Sequence, residues 1–286
     1  MIKMDKRRYR QRTIEDMLIS NFNSFKFSIT EPIKLALVRS NNERFYENLE
    51  EKPFISAYVP TYNRSELLVE RAVKSVLAQT YKNFELIIIG DHCTDSTEEL
   101  VSQIDDPRIR FYNLPKRERR YPDDPEVHWL AGPVVAANKA LDLVRGKWIA
   151  RIDDDDIWTQ DHLHVLLDFA KKGNYEFVSA AYIEERNGKR TVINEEGKYP
   201  RIGGTQTWLY RSYLRFFRYN IDCWRKSWNR VNDTDLQDRM FRAGVRMGFL
   251  NKVVTYVLPR PGEVTVGLEA YKKGGKKIQE HFKFGD

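Results

Sequence analysis

Apolar positions recur at two spacings along the chain, and from residue 54 onward strand-like and helix-like spacings alternate. Residues 54–59 and 84–89 are nearly unbroken apolar runs, as expected of parallel strands covered on both faces. Pro60 predicts the end of the first. Between them Leu68, Ala72 and Val76, with Val69, Val73 and Leu77, step by four and predict a helix over 65–80. Asp95 followed by Glu98 has the spacing of a capping box and predicts a helix over 96–104. A short strand over 108–112 and a loop rich in charge and proline over 115–125 follow. Pro133 heads a predicted helix over 134–145. A strand over 147–152 then runs into four aspartates, and Thr159 is expected to cap a helix reaching Lys172. Residues 175–184 and 190–194 flank Asn187-Gly188, a hairpin signal. No internal repeat is evident. Strands alternating with helices predict an α/β fold, doubly wound, with a mostly parallel central sheet and helices on both faces. Residues 1–52 carry short apolar pieces, such as 33–38, without a sustained period. They are expected to form an N-terminal extension packed on a main domain of residues 53–260, with 261–286 as a C-terminal tail.

Composition narrows the class. Of 286 residues, 41% are hydrophobic, enough for a substantial core and too many for a disordered chain. No run approaches the ~18–20 apolar residues of a membrane span. The basic N-terminal stretch lacks the apolar segment of a secretory signal, so a soluble intracellular protein is expected. Two cysteines, Cys93 and Cys223, exclude a disulfide scaffold and a four-cysteine zinc site. The excess of 48 Lys+Arg over 41 Asp+Glu gives a net charge of +7. It favours anionic partners such as a nucleotide, a nucleic acid or a membrane surface, although a solvated basic surface accounts for it equally simply. Arg215, Arg218, Arg225 and Lys226, interleaved with Phe216, Phe217, Tyr219 and Trp224, keep a nucleic-acid face open as a rival function.

In open α/β sheets ligands sit beyond the carboxyl ends of the strands. Here those ends carry residues 60–64 (PTYNR), 90–95 (GDHCTD) and the run Asp153-Asp154-Asp155-Asp156. Four adjacent carboxylates repel one another unless a cation sits among them. Mg²⁺ typically combines one or two carboxylates with substrate phosphates. A solvated acidic loop at a helix start is the plainer alternative. A metal-dependent phosphodiesterase would need carboxylates spread along the chain for two metals, which a contiguous run fits less well. His162 and His164 are two apart on a predicted helix, point apart, and are expected at the surface. Residues 203–208 (GGTQTW) are expected either to shape an acceptor pocket or to pack Trp208 into the core.

Three segments in order, VPTYNR at 59–64, GDHCTDST at 90–97 and RGKWIARIDDDD at 145–156, resemble glycosyltransferase family 2. The resemblance covers roughly residues 54–260. It implies a GT-A fold and an inverting transfer of a sugar from a nucleotide donor, a UDP-sugar being favoured, with Mg²⁺ or Mn²⁺ as cofactor. It places Pro60, Thr61 and Asn63 in the loop that holds the nucleoside and Asp91 against the base. His92-Cys93 stands where the family more often has Gly-Ser. Asp155 would ligate the metal, with Asp153 near the metal or the ribose and Asp154 beside the nucleotide. Asn232-Asp233-Thr234-Asp235 resembles the segment that supplies the catalytic base, with Asn232 in place of the usual Glu. Asp233 takes the base position and Asp235 is the nearby alternative. His281 in the tail is a candidate for reaching the metal. The acceptor implied is a glycan, a lipid-linked glycan or a protein, with no nucleic acid. The implied location is cytoplasmic, with peripheral contact at the inner membrane face left open by the Lys-rich tail.

Overall fold

The computed structural model describes residues 12–47, 52–194 and 204–273. The elements in chain order are α1 (Ile14–Asn42), β1 (Ile55–Thr61), a helical segment α2 over 65–77, β2 (Phe84–Gly90), α3 (Thr97–Ser102), β3 (Ile109–Asn113), α4 (Pro125–Ala131) and α5 (Val134–Leu143). They continue with β4 (Trp148–Arg151), β5 (Asp156–Trp158), α6 (His162–Lys172), β6 (Phe177–Arg186), β7 (Lys189–Ile193), β8 (Leu209–Arg211), α7 (Asn232–Ala243), β9 (Met247–Val257) and α8 (Gly267–Lys273). The strands form one sheet in the order β3-β2-β1-β4-β8-β6-β9-β5, with β7 paired to β6.

The first half of the sheet, β3-β2-β1-β4, is parallel throughout. All seven positions of β1 and of β2 are buried, the reason these strands read as continuous apolar runs. Beyond β4 the sheet is mixed: β8 is antiparallel to β4 and β6, while β6 and β9 run parallel. The fold is α/β with helices packed on the sheet, as the alternation predicts. β1 runs past Pro60 to Thr61, where proline was expected to stop it. The Ile55 N–H bonds Asn83 on the β2 side, so by alternation the nitrogen of Pro60 faces β4. Pairing between β1 and β4 ends at Tyr58–Arg151, so no ladder donor is lost.

Other differences are local. Thr159 does not cap α6; its hydroxyl donates to Asp161, the residue at the helix start. Asp95 accepts from the Thr97 N–H and from the Ser65 N–H, bridging the starts of α3 and α2 rather than forming a capping box with Glu98. The hairpin is as expected, with Asn187 at φ 51° and Gly188 at φ 73°, both in the left-handed region that such a turn requires.

Residues 14–42 form a single 29-residue helix, opened by a reciprocal capping box between Thr13 and Asp16. The segment does hold a helical period, Ile14, Leu18, Phe22, Phe25, Ile29 and Ile33, against the expectation of none, but it lies on the exposed side; the buried positions are Asp16, Ser20, Glu31 and Leu35. Leu35 is buried against the domain, whereas Leu18, Phe22, Phe25 and Ile33 are exposed on the other side. Ion pairs fasten the inner face: Asp16–Arg225, Glu31–Arg239 and Arg39–Glu176. These contacts place α1 alongside α7, running in the same direction.

Candidate active site

The segments after β1, β2 and β4 meet at one rim of the sheet. Thr61 Oγ1 donates to Asp154 Oδ2 at 2.8 Å, and Arg64 Nη1 to Asp154 Oδ1 at 2.7 Å. Asn63 (φ 48°) accepts from the Thr94 N–H at 2.8 Å, tying the first loop to the second. The aspartate run splits by orientation. The side chains of Asp153 and Asp155 are 34% and 27% exposed, whereas that of Asp154 is 6% exposed. Asp156 is buried and begins β5 opposite Val257. Burial pushes its carboxyl well above the usual carboxylate range, reinforced by the three neighbouring aspartates and partly opposed by Arg71. Asp154 is raised for the same first reason, with Arg64 opposing. Two aspartates therefore belong to the wall and two face outward.

Arginines supply the countercharge. Arg64 Nη1 lies 3.5 Å and Arg260 Nε 3.9 Å from Asp155 Oδ2. Arg71 Nη1 donates to the Asp155 and Leu258 carbonyls. Arg151, buried at the end of β4, holds Asp153 at 2.9 Å and lies over the Tyr219 ring. Arg64 and Arg151 lie within the segments quoted at 59–64 and 145–156 but were given no role there, and Arg71 and Arg260 carry no spacing signal in the sequence.

Asp91 is buried, and its Oδ1 has no hydrogen-bond partner among the described residues. Burial raises its carboxyl above the ordinary range, with Arg117 and a hydrogen bond from Tyr121 opposing. Arg117 stacks on Tyr62 at 3.7 Å, and the Tyr121 hydroxyl also accepts from the Val135 N–H. The charged loop at 115–125 thus contributes Arg117 and Tyr121 to the pocket around Asp91. His92 has φ 63°, which explains why glycine suits this position: the left-handed region costs a side chain about 1 kcal/mol or more.

Asp233 sits in the first turn of α7, half-buried. Its Oδ1 accepts from the N–H and the hydroxyl of Thr234. Burial raises its pKa, Arg151 opposes and Asp153 adds to the rise, so the acidic rim and α7 share one electrostatic site. Asp235, the alternative base, is fully buried and clasped by Lys226 and by Arg239 Nε at 3.0 Å. Asn232, standing where the resemblance expects Glu, donates to the Gly132 and Leu130 carbonyls at 2.7 and 3.2 Å. It anchors the start of α7 to the α4–α5 turn.

Other candidates fall outside the site. His162 is buried, against the surface position expected: it stacks on Trp158 at 3.9 Å and pairs with the Val254 carbonyl at 3.0 Å. Burial lowers its pKa to about 3. His164 is exposed. Trp208 is in the core, edge-on to Phe177. Arg218, Arg225 and Lys226 of the Arg/aromatic segment face Asp142, Asp16 and Asp235 of the chain itself, and Arg215 donates to the Val144 carbonyl. Phe217, Tyr219 and Trp224 are buried, so they offer no stacking faces to a nucleic acid. His281 and Gly203 lie outside the described residues.

Fit to a divalent ion can be judged from the donors. Among the described residues no cluster of three or more His, Cys, Asp or Glu forms a closed cage. Two outward carboxylates, Asp153 and Asp155, suit an ion that takes its remaining ligands from water and a diphosphate.

A parallel half-sheet whose strand ends present a buried carboxylate acceptor, two outward aspartates and a further aspartate on a facing helix defines the class of nucleotide-sugar-binding α/β transferases. The Glycosyl transferase family 2 model matches residues 56–121 and 128–230, more than half of the chain, and the chain belongs to that family. It is 38% identical over 122 residues to the putative colanic acid biosynthesis glycosyl transferase WcaA of Escherichia coli K12, covering 42% of this chain and 38% of that protein. It is 32% identical over 133 residues to the putative teichuronic acid biosynthesis glycosyltransferase TuaG of Bacillus subtilis, covering 46% and 47%. Over 161 residues it is 30% identical to WfgD of E. coli, named a UDP-Glc:alpha-D-GlcNAc-diphosphoundecaprenol beta-1,3-glucosyltransferase, covering 56% and 55%. The chain thus spans about half or less of the length of these relatives. Its fold resembles S. aureus TarS 1-349, solved with UDP-GlcNAc (TM-score 0.58, 19% identity, 73% of this chain and 60% of that one). It also resembles the Pyrobaculum calidifontis mannosyltransferase PcManGT, solved with GDP-Man and Mn²⁺ (TM-score 0.56, 16% identity, 83% and 68%).

Proposed function

We propose that this protein is an inverting glycosyltransferase that moves a sugar from a uridine diphosphate donor to a hydroxyl of a lipid-linked glycan. The observation that carries the reading is the convergence on one rim of a buried, unpartnered Asp91 oxygen, outward Asp153 and Asp155, and Asp233. An orphaned carboxylate oxygen costs stability unless a ligand donor satisfies it. The N–H of a uracil ring supplies that donor, with Pro60, Thr61 and Asn63 shaping the loop around the nucleoside. Asp154 acts from within, fixing Thr61 and Arg64.

Asp155 and Asp153 would hold Mg²⁺ or Mn²⁺. When bound, the ion supplies positive charge to the diphosphate as the sugar departs. Arg64 and Arg260, already beside Asp155, add fixed cationic charge there. Asp233 receives the proton of the acceptor hydroxyl, whose own pKa is far above neutrality. Its raised pKa makes it a better proton acceptor. A single displacement on the face opposite the diphosphate inverts the anomeric carbon and needs no covalent intermediate. The lipid-linked acceptor is supported by the name of WfgD, which matches across the larger share of this chain.

Calorimetry with UDP, GDP, dTDP and CDP, each with and without Mn²⁺, tests the donor reading. Tightest binding of UDP, strengthened by Mn²⁺ and weakened by Asp155→Ala, is the expected result. Binding indifferent to both metal and Asp155 contradicts it, and tighter binding of GDP corrects the base.

A further inference from the structure

The outer face of α1 has no covering element among the described residues. Ile14, Leu18, Phe22, Phe25, Ile29 and Ile33 follow one another in steps of three and four, which puts them on one side of a helix. All are between 46% and 73% exposed. The opposite side is fixed to the domain by Asp16, Glu31 and Arg39 through the ion pairs described above. At 1.5 Å per residue the stripe is about 30 Å long, and two phenylalanines lie near its middle. Isolated apolar residues at a surface need no explanation, but a continuous stripe does. No helix among the described residues is long and apolar enough to cross a membrane.

Charge selects the occupant. The exposed charged residues of α1 are Lys26 and Lys34 against Glu15. The sequence immediately before the helix, residues 1–12, holds Lys3, Lys6, Arg7, Arg8, Arg10 and Arg12 against a single Asp5. Near the other end of α1, a cavity of about 540 Å³ is lined by Val38 and Asn42 together with Arg145, Lys147, Arg215 and Arg218. A second copy of the chain would bring like charges together along such a face. An anionic lipid surface complements them, and an apolar stripe with basic flanks is the pattern of a helix lying in the interface plane. We infer that α1 is a lipid-docking helix, which sets Phe22 and Phe25 into an anionic membrane surface and holds the enzyme on it without a span. The binding does not depend on the acceptor proposed above, though it gives a physical reason for a lipid-linked one.

The test is flotation of the full chain with vesicles of phosphatidylglycerol and phosphatidylcholine, and with vesicles of phosphatidylcholine alone. Binding to the anionic vesicles, weakened by 0.5 M salt to about a tenth or less, is expected. Phe22→Ser with Phe25→Ser should reduce it about tenfold or more, with melting temperature and affinity for UDP unchanged, since neither side chain packs on the domain. Absence of flotation, flotation unaffected by the double substitution, or equal binding to neutral vesicles overturns the inference. A dimer in light scattering that the same double substitution dissociates, without vesicle binding, also overturns it and assigns the face to a second copy. Flotation that persists in a chain that binds no nucleotide diphosphate leaves lipid docking standing and removes the proposed transferase reading instead.

Discussion

Asp233 and Asp235 are two residues apart on α7 in different surroundings, so one pair of substitutions separates the proposed base from a structural aspartate. Among the described residues Asp233 accepts from the N–H and hydroxyl of its neighbour Thr234. Asparagine in its place keeps an oxygen for that local bond, and even a lost first-turn contact is typically worth about 1 kcal/mol. The same substitution removes the proton acceptor, which costs about 10²–10⁴ in rate. Asp235 is the reverse case: it is completely buried between Lys226 and Arg239, and Arg239 also holds Glu31 of α1. Replacing one member of such a buried network costs about 3–5 kcal/mol. At about 2–4 °C per kcal/mol for a chain of this size, that is a fall of roughly 6–20 °C in melting temperature. The assays are thermal unfolding, calorimetry with UDP and Mn²⁺, and turnover of a UDP-sugar. Asp233→Asn should melt within about 3 °C of the parent, bind UDP normally and turn over about 10²–10⁴-fold more slowly. Asp235→Asn should melt early and retain turnover in its folded fraction. Normal turnover by Asp233→Asn, with Asp235→Asn inactive though folded, refutes the assignment; normal turnover by both refutes the mechanism.

The remaining predictions concern charge and pH. The acid limb of the rate should lie above the usual carboxylate range, because the raised pKa of Asp233 keeps it protonated to higher pH; a limb near pH 4 or below counts against it. Arg151→Gln removes the cation that holds that pKa down, so the limb should move to still higher pH, measured as kcat/KM against pH. Asp91→Asn should weaken UDP about 10- to 100-fold, as expected for a hydrogen bond to a charged acceptor, and unchanged affinity on calorimetry would remove Asp91 from base recognition. Glu176 is buried, and although burial alone would raise its pKa, bonds from Arg39, the Arg246 N–H and Tyr213 outweigh that and lower it. Its contribution to stability is therefore present above pH 4.5 and lost as pH falls through the folded pKa. Arg39→Ala should cost about 1–2 kcal/mol at pH 7, its half-exposed guanidinium discounted for solvent, with the difference shrinking at acid pH in denaturant titrations.

The sequence by itself determined the parallel half of the sheet and the polar rim at its strand ends, where the chemistry is proposed. A strand buried on both faces must be apolar along its whole length, as at 84–89, and polar residues at its end can only face the crevice beyond it. Local turn chemistry was equally legible in Asn187-Gly188. Tertiary structure decided the rest. Which aspartates of 153–156 face outward depends on Thr61, Arg64 and Arg71 from distant segments. Whether Asp233 or Asp235 is free for chemistry depends on Lys226 and Arg239. His162 is buried because Trp158 and Val254 close over it. The helix at 14–42 was not expected because its apolar period faces outward, while the side packed on the domain is largely polar, with Asp16, Ser20 and Glu31 beside Leu35. Periodicity records how a segment meets one surface, whereas pairing between charges far apart in sequence exists only once the fold has brought them together.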